Sequence, residues 1–382
     1  MSEEKELFIP DRVNCSKLPG LDGLRGICIL FVLIGHFSFG SAFNSQSAIS
    51  AIGVQIFFVI SGFLITTLLL KEKIRNGSIS LINFYIRRAY RILPVVLLFL
   101  LILFFLNKIF GLGLGNRSFI TSIFFIRNMP LPGMGDWETG HLWSLSIEEQ
   151  YYLLFPFLLR KLKVKTYKRL SVILIVSITT VSLCFYKNIG LFHASQVIHI
   201  VSLVFVNLFS ISTAMILIGS FLSVIMFENP KLVDNPRIGP SLSLLLFPVA
   251  IAIRTPLSGL YVPFVSDVLF ALLIGIVIIL NLKNSSIQRK VFNNKILSYL
   301  GVLSYSIYIW QQLFTQYQPW RNLFPYADSI LLNGILLVIV SNISYWLYEK
   351  KFLLIKERFH GQRGKVWMPN ALNKANQDTS IN

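Results

Sequence analysis

Leu21 to His36, LDGLRGICILFVLIGH, sets an arginine and a histidine into a segment apolar enough to lie inside a lipid bilayer. Arg25 and His36 stand eleven positions apart, so a helix would put them near one face with roughly 16 Å of rise between them. Ionisable groups at that depth are costly and by default face a cavity or a bundle interior, where an imidazole can take or give a proton. The plainer readings are a histidine bonded to a neighbouring helix and an arginine snorkelling to lipid headgroups. GHLWSLSIEEQYYLLFP, Gly140 to Pro156, carries the carboxylate pair Glu148 and Glu149 into another apolar segment. Adjacent residues on a helix point about 100° apart, so only one of the pair is expected to face squarely inward. His141, Gln150, Tyr151 and Tyr152 add hydrogen-bonding groups there, while Trp143 and the tyrosines also suit an interfacial aromatic belt. NFYIRRAYRILP, Asn83 to Pro94, spaces Arg88 and Arg91 three apart and Arg87 and Arg91 four apart, so at least one pair shares a helix face. Arginine suits bidentate phosphate recognition, which points to a phosphate-bearing ligand, although cytoplasmic loops collect arginines without one. Pro94 is expected in a first helical turn, where proline is tolerated. Gly53, Ser61 and Gly62, in GVQIFFVISGFLITTLLLKE, are small enough to admit a neighbouring helix.

These groups need elements that hold them together. Hydrophobic residues make up 54% of the 382 and charged residues 14%, with a mean hydropathy of +0.66; soluble domains usually carry about a quarter charged residues. The chain reads as an all-α polytopic membrane protein. Bilayer-length apolar windows fall at about 24–40, 50–70, 92–110, 140–159, 170–186, 195–226, 241–254, 262–281, 297–314 and 329–348, which predicts about ten transmembrane helices. The window at 195–226 is too long for one straight span, so a tilt or a break near Asn207 is expected.

With the N-terminus inside, 29 of the 35 lysines and arginines fall on the inner side, and only Lys108, Arg117, Arg127, Lys187, Arg254 and Arg321 on the outer. Both termini are therefore predicted to be cytoplasmic. The net charge of +18 is spread over short loops between apolar runs, which speaks against nucleic-acid binding. Cys15, Cys28 and Cys184 lack metal-ligand or CxxC spacing, so neither a disulfide framework nor a metal site is expected. MSEEKELFIPDRVN lacks the basic start and apolar core of a cleavable signal peptide, so the first helix is expected to remain. Residues 351–382 read as a basic cytoplasmic tail near anionic lipid, after one membrane domain over 1–350.

LDGLRG with His36, GVQIFFVISGFLI, FYIRRAYRILP, HLWSLSIEEQYYLLFP and LSYSIYIW occur in that order over residues 21–310. In this the chain resembles the membrane-bound acyltransferase 3 family, O-acyltransferases of bacterial surface glycans and some secondary metabolites. The resemblance implies about ten transmembrane helices and an acyl-CoA co-substrate, usually acetyl-CoA, entering from the cytoplasm, with no bound cofactor. It implies donor binding by Arg25, Arg88 and Arg91, and catalytic roles for His36 and Glu148. Ser61, Gln150, Tyr152 and Gln311 are supporting candidates. Two positions depart from the family pattern. Gln55 stands where many relatives have aspartate, and Gln311 where many have a second histidine; a glutamine can hydrogen-bond but cannot shuttle a proton. Some relatives carry an SGNH hydrolase-like domain; this chain ends too early for one, so acylation of the acceptor is expected at the membrane domain.

The expected activity is transfer of an acyl group, most simply acetyl, from acyl-CoA to a hydroxyl of a cell-envelope saccharide or related acceptor. His36 would act as general base or as transient acyl carrier, and Glu148 would orient His36 or the acceptor. The setting is a multi-pass protein of the bacterial inner membrane, with the lipid bilayer, acyl-CoA and the hydroxyl acceptor as partners. The alternative is a secondary transporter using the same His, Glu and Arg cluster, which would call for inverted repeats that the sequence does not display.

Overall fold

Long apolar runs become helices because lipid offers backbone N–H and C=O groups no partners, so each segment must satisfy its own. A computed structural model describes residues 6–357 apart from 16, 38–45, 130, 133–134, 188, 191–194, 235–240, 256–258, 260, 284–289 and 293. Among the described residues there is no strand, and every apolar window of the sequence contains helix. The chain runs through α1 (Leu21–His36), α2 (Gln46–Asn76), α3 (Leu81–Phe110), the short α4 (Asn116–Ile123) and α5 (Trp137–Gly140), then α6 (Leu142–Lys161) and α7 (Val164–Tyr186). It continues as α8 (Gln196–Leu208), α9 (Ile211–Glu228), α10 (Lys231–Asp234), α11 (Leu242–Arg254), α12 (Val265–Asn281), α13 (Lys295–Trp310) and α14 (Ile330–Ile343). A π-helical turn over Ser344–Glu349 leads into α15 (Lys350–Glu357). The remainder of the predicted tail, 358–382, lies outside the described residues, as do residues 38–40 of the first apolar window.

Among the described residues, five helical stretches are long and apolar enough to cross a membrane: Ile49–Asn76, Leu81–Phe110, Val164–Tyr186, Ile211–Glu228 and Ile330–Ile355. Gln196–Leu208, Leu242–Arg254 and Val265–Asn281 are apolar but shorter. The long window at 195–226 is broken at Phe209 and Ser210, two residues beyond Asn207. Asn128 Nδ2 donates to the Asn207 carbonyl at 2.9 Å, giving the interrupted helix end a partner. Pro94 differs from expectation: it lies inside α3, which starts at Leu81, because RRAYR continues the helix instead of ending a loop. A proline there removes one backbone donor from the ladder.

Helices α2 and α9 form the interior, whereas α3 and α7 turn apolar side chains such as Leu101, Phe105, Ile173 and Val176 outward. Small residues set the closest crossings. A Cβ on Gly62 would lie 1.9 Å from the Ile216 carbonyl oxygen, and one on Gly219 2.1 Å from that of Val59, so α2 and α9 touch backbone to backbone. Between them Thr66 Oγ1 donates to Ser220 Oγ at 2.7 Å, and Thr67 shares a 2.9 Å bond with Ser223. Helix α1 meets α13 in the same way: a Cβ on Gly301 would sit 1.7 Å from the Asp22 carbonyl oxygen. Gly301→Val is therefore expected to cost about 3 kcal/mol or more, since backbone cannot retreat as a side chain can. The check is thermal stability and the monodisperse fraction after detergent extraction, with Gly334→Val as control because a Cβ at Gly334 meets nothing within 4 Å.

The N-terminal segment straps one end of the bundle. Phe8 N donates to Phe227 O at 3.0 Å, Arg12 Nη1 to Lys283 O at 2.9 Å, and Lys71 Nζ to Cys15 O at 3.2 Å.

Candidate active site

His36 is the last residue of α1 and comes within 2.6 Å of Gln311 Oε1, Nδ1 to oxygen, just past the C-terminus of α13. The amide orientation follows from the next two bonds. Gln311 Nε2 donates to Gln312 Oε1 at 3.2 Å, and Gln312 Nε2 donates to the Trp137 carbonyl at 2.8 Å. With its NH₂ used on Gln312, Gln311 presents an acceptor to the ring, so Nδ1 carries the proton and Nε2 keeps a lone pair. The ring is also held edge-on by Trp137, centroids 5.6 Å apart. Gln311 itself is wholly buried. Gln311→Leu is expected to lower turnover about tenfold or more by leaving a buried N–H without an acceptor and the ring free to rotate. Gln311→Glu, which keeps the acceptor, is expected to restore part of it, with turnover of both variants measured against wild type.

A cavity of about 1010 Å³ opens beside His36, with His141, Trp137, Trp143, Tyr308 and Asp136 among its walls. Its roof is the segment around α4 and α5, pinned by a buried cation. Arg127 Nη2 lies 2.6 Å from Asp136 Oδ1, and Arg127 Nε donates to Thr139 Oγ1 at 2.9 Å. Asp136 in turn accepts from Ser118 Oγ at 2.6 Å and caps the N-terminus of α5. Burial works against its charge, but the Ser118 and Thr139 hydrogen bonds and the Arg127 guanidinium hold its carboxyl below the usual carboxylate range. Tyr317, at φ 50°, sets its ring against Trp137 at the rim. A non-glycine residue in that conformation stores strain of about 1–3 kcal/mol, a cost met most often at functional sites.

Arg88 lies at a separate cavity of about 210 Å³, lined also by Glu149, Tyr152, Tyr85 and Ile92 among others. The Arg88 guanidinium lies 3.8 Å from the Tyr152 ring centroid, with Nη2 4.0 Å from Glu149 Oε1. Arg91 is within electrostatic reach of both Arg25 and Arg88. Arg87 leaves the group and pairs with Glu72 at 3.0 Å. Of the two predicted i,i+3 and i,i+4 pairs, the structure brings together Arg88 and Arg91. Nearby, Glu349 in the π turn accepts from Ser306 at 2.5 Å and Ser344 at 2.8 Å.

Glu148 and Glu149 both meet interior groups, but unequally: Glu148 is hydrogen-bonded, whereas Glu149 approaches Arg88 at 4.0 Å. Glu148 Oε1 accepts from Ser61 Oγ at 2.9 Å, and its Oε2 from the Tyr152 hydroxyl at 3.5 Å. Both carboxylates therefore sit with the arginines, and the ring partner of His36 is Gln311 rather than Glu148. Two helices, α2 and α3, flank α6 and offer each carboxylate a partner; helical geometry alone could not show that. Ser61 is thus a carboxylate ligand while Gly53 and Gly62 serve packing. Gln150 is tied elsewhere: its Nε2 donates to the Phe125 carbonyl and to Asn128 Oδ1, both at 2.9 Å, anchoring the 125–128 turn. Gln55 Oε1 accepts from Arg254 Nε at 2.8 Å, and Arg254 also pairs with Asp267 at 2.7 Å. A glutamine suits that spot because Asp267 already supplies the counter-charge. Sequence reasoning missed the roof residues Asp136 and Trp137 and the cavity position of His141; the GHLW tetrapeptide held the signal for the last.

A helical bundle with outward apolar faces and an interior holding imidazoles, arginines and carboxylates beside two cavities is an integral-membrane protein with a buried polar site. The sequence profile of the acyltransferase 3 family, described as "Acyltransferase domain", matches residues 18–349, and the chain belongs to that family. It is 38% identical over 175 residues to a Staphylococcus aureus (strain COL) protein named "Putative O-acetyltransferase SACOL0978", a match covering 41% of this chain and 27% of that one. It is 39% identical over 162 residues to "O-acetyltransferase OatA" of Staphylococcus aureus (strain NCTC 8325 / PS 47), covering 38% of this chain and 26% of the relative. The match thus spans about a quarter of the length of these curated relatives. No solved structure matches the chain.

Proposed function

We propose that this protein is a membrane O-acyltransferase that moves an acetyl group from acetyl-CoA to a hydroxyl of a cell-envelope saccharide. The observation that carries the reading is His36 beside the large cavity, its Nδ1 proton engaged by Gln311 and its Nε2 left as a base. The family and the O-acetyltransferase names of the relatives support the reaction class. On this reading Arg25, Arg88 and Arg91 take the donor's phosphates, and the pantetheine arm carries the thioester toward His36. The acceptor enters the large cavity, where Trp137, Trp143 and Tyr317 offer faces for a sugar ring and Asp136 and Gln312 offer hydrogen-bonding groups. Ten spans with both termini cytoplasmic, in a bacterial inner membrane, would put the arginines on the donor side. The lysine and arginine bias supports that orientation.

His36 removes the acceptor's proton as its oxygen attacks the thioester carbonyl, and the CoA thiolate leaves and is reprotonated by the imidazolium. Release of free CoA by purified protein in lipid, with membrane extract from the native host as acceptor and radiolabelled acetyl-CoA as donor, tests the reading. Labelled saccharide together with stoichiometric CoA supports it. Uptake of unmodified solute into vesicles without CoA release would point to transport instead.

A further inference from the structure

His141 stands at the N-cap position of α6, without a side-chain cap, and forms part of the wall of the same cavity as His36. Its side chain is buried, the residue being 4% exposed, and neither ring nitrogen makes a hydrogen bond. The Ile309 backbone is felt by the ring but lies outside hydrogen-bond geometry. The ring is nonetheless fixed, edge-on to Phe99 at 5.5 Å and to Tyr308 at 5.5 Å. Its backbone is fixed too: the His141 carbonyl accepts from Tyr308 Oη at 2.9 Å and from Ser144 Oγ at 3.2 Å.

The two imidazoles differ in what they have spent. His36 has given its N–H to Gln311 and is left with a lone pair, the arrangement of a base. A neutral imidazole always carries one N–H, and His141 has no protein acceptor for its own. A buried donor without a partner costs about 1–3 kcal/mol, a cost relieved when something else accepts the hydrogen bond. A donor held rigidly in a residue of the cavity wall, with no acceptor in hydrogen-bond geometry, is an arrangement that can stabilise charge developing on a substrate oxygen.

We propose that His141 is a second catalytic residue, donating its ring N–H to the oxyanion formed from the acyl carbonyl during transfer. This rests on the acyl-transfer reading of the site. The acceptor oxygen bonds to the thioester carbon while its proton passes to His36 Nε2, and the carbonyl π electrons move onto oxygen, where His141 N–H meets them. Collapse restores the carbonyl, breaks the C–S bond, and returns the proton from His36 to the departing thiolate. His141 gains and loses no proton in the cycle, so its contribution lies in kcat.

The experiment compares wild type, His141→Phe, His141→Gln and His36→Ala for CoA release from acetyl-CoA in lipid, with melting temperature measured on each. Phenylalanine keeps the ring contacts with Phe99 and Tyr308 but has no donor, and is expected to lower kcat about 100-fold with KM for donor and acceptor within threefold of wild type. Glutamine restores an N–H and is expected to recover at least tenfold of that loss. If His141→Phe turns over within threefold of wild type, the proposal is overturned. It is equally overturned if glutamine, folded with a wild-type melting temperature, is as slow as phenylalanine. If phenylalanine lowers the melting temperature, the glutamine variant alone decides: turnover between wild type and His36→Ala with unchanged KM supports the role. A wild type that releases no CoA would instead defeat the acyl-transfer reading itself.

Discussion

Alanine at position 36 is expected to reduce acyl transfer by about 10²- to 10⁴-fold, the range that a positioned general base contributes, while donor binding stays near wild type. The division follows from the separation of the two polar centres. His36 borders the large cavity and bonds Gln311, whereas Arg88 borders the small one and meets Glu149 and Tyr152. His36→Gln sharpens the test, since glutamine can still donate to Gln311 but cannot take up a proton at neutral pH. Turnover by His36→Gln within tenfold of wild type would remove His36 from the chemistry. A collapse of donor affinity in either variant would mean that the two centres are one site.

The second large effect concerns Arg88 and Arg91. Replacing both by alanine is expected to weaken acetyl-CoA binding by about 10²- to 10⁴-fold. A hydrogen bond to a charged group contributes about 1.5–3 kcal/mol, and 1.4 kcal/mol is a factor of ten. The structural cost of the change is foreseeable: Glu149, which faces Arg88 at 4.0 Å, would be left without its cation. Adding Glu149→Gln removes that buried charge and separates the two effects. If the triple variant regains wild-type melting temperature yet still binds donor weakly, the arginines act on the ligand. Recovery of donor affinity along with stability would show that they serve only to neutralise the glutamates. Equilibrium binding of a non-hydrolysable acetyl-CoA analogue reads the result without turnover.

Helix positions were legible in the sequence because hydropathy and bilayer length are local properties. The break after Asn207 was anticipated for the same reason, the apolar run being longer than one span. Pro94 misled because a proline beside arginines reads as a boundary, whereas α3 carries the proline within it. The small residues Gly53 and Gly62 were correctly seen as packing positions, but Ser61, in the same run, turned out to hold Glu148.

The sequence by itself determined which residues are ionisable or polar in an apolar setting, and hence that Arg25, His36, Arg88, Arg91, Glu148 and Glu149 had to be partnered inside a bundle. Only the tertiary structure decided the partners. His36 meets Gln311, 275 positions away, while Glu148 meets Ser61 and Tyr152, and Arg88 meets Glu149 and Tyr152. His141 acquires its place only when α3, α6 and α13 close around it. The physical reason is that burial cost is a property of each side chain and its depth, which composition and periodicity encode. The satisfaction of that cost depends on the rotation and register of neighbouring helices, which glycine crossings such as Gly301 on Asp22 set at the level of backbone contact.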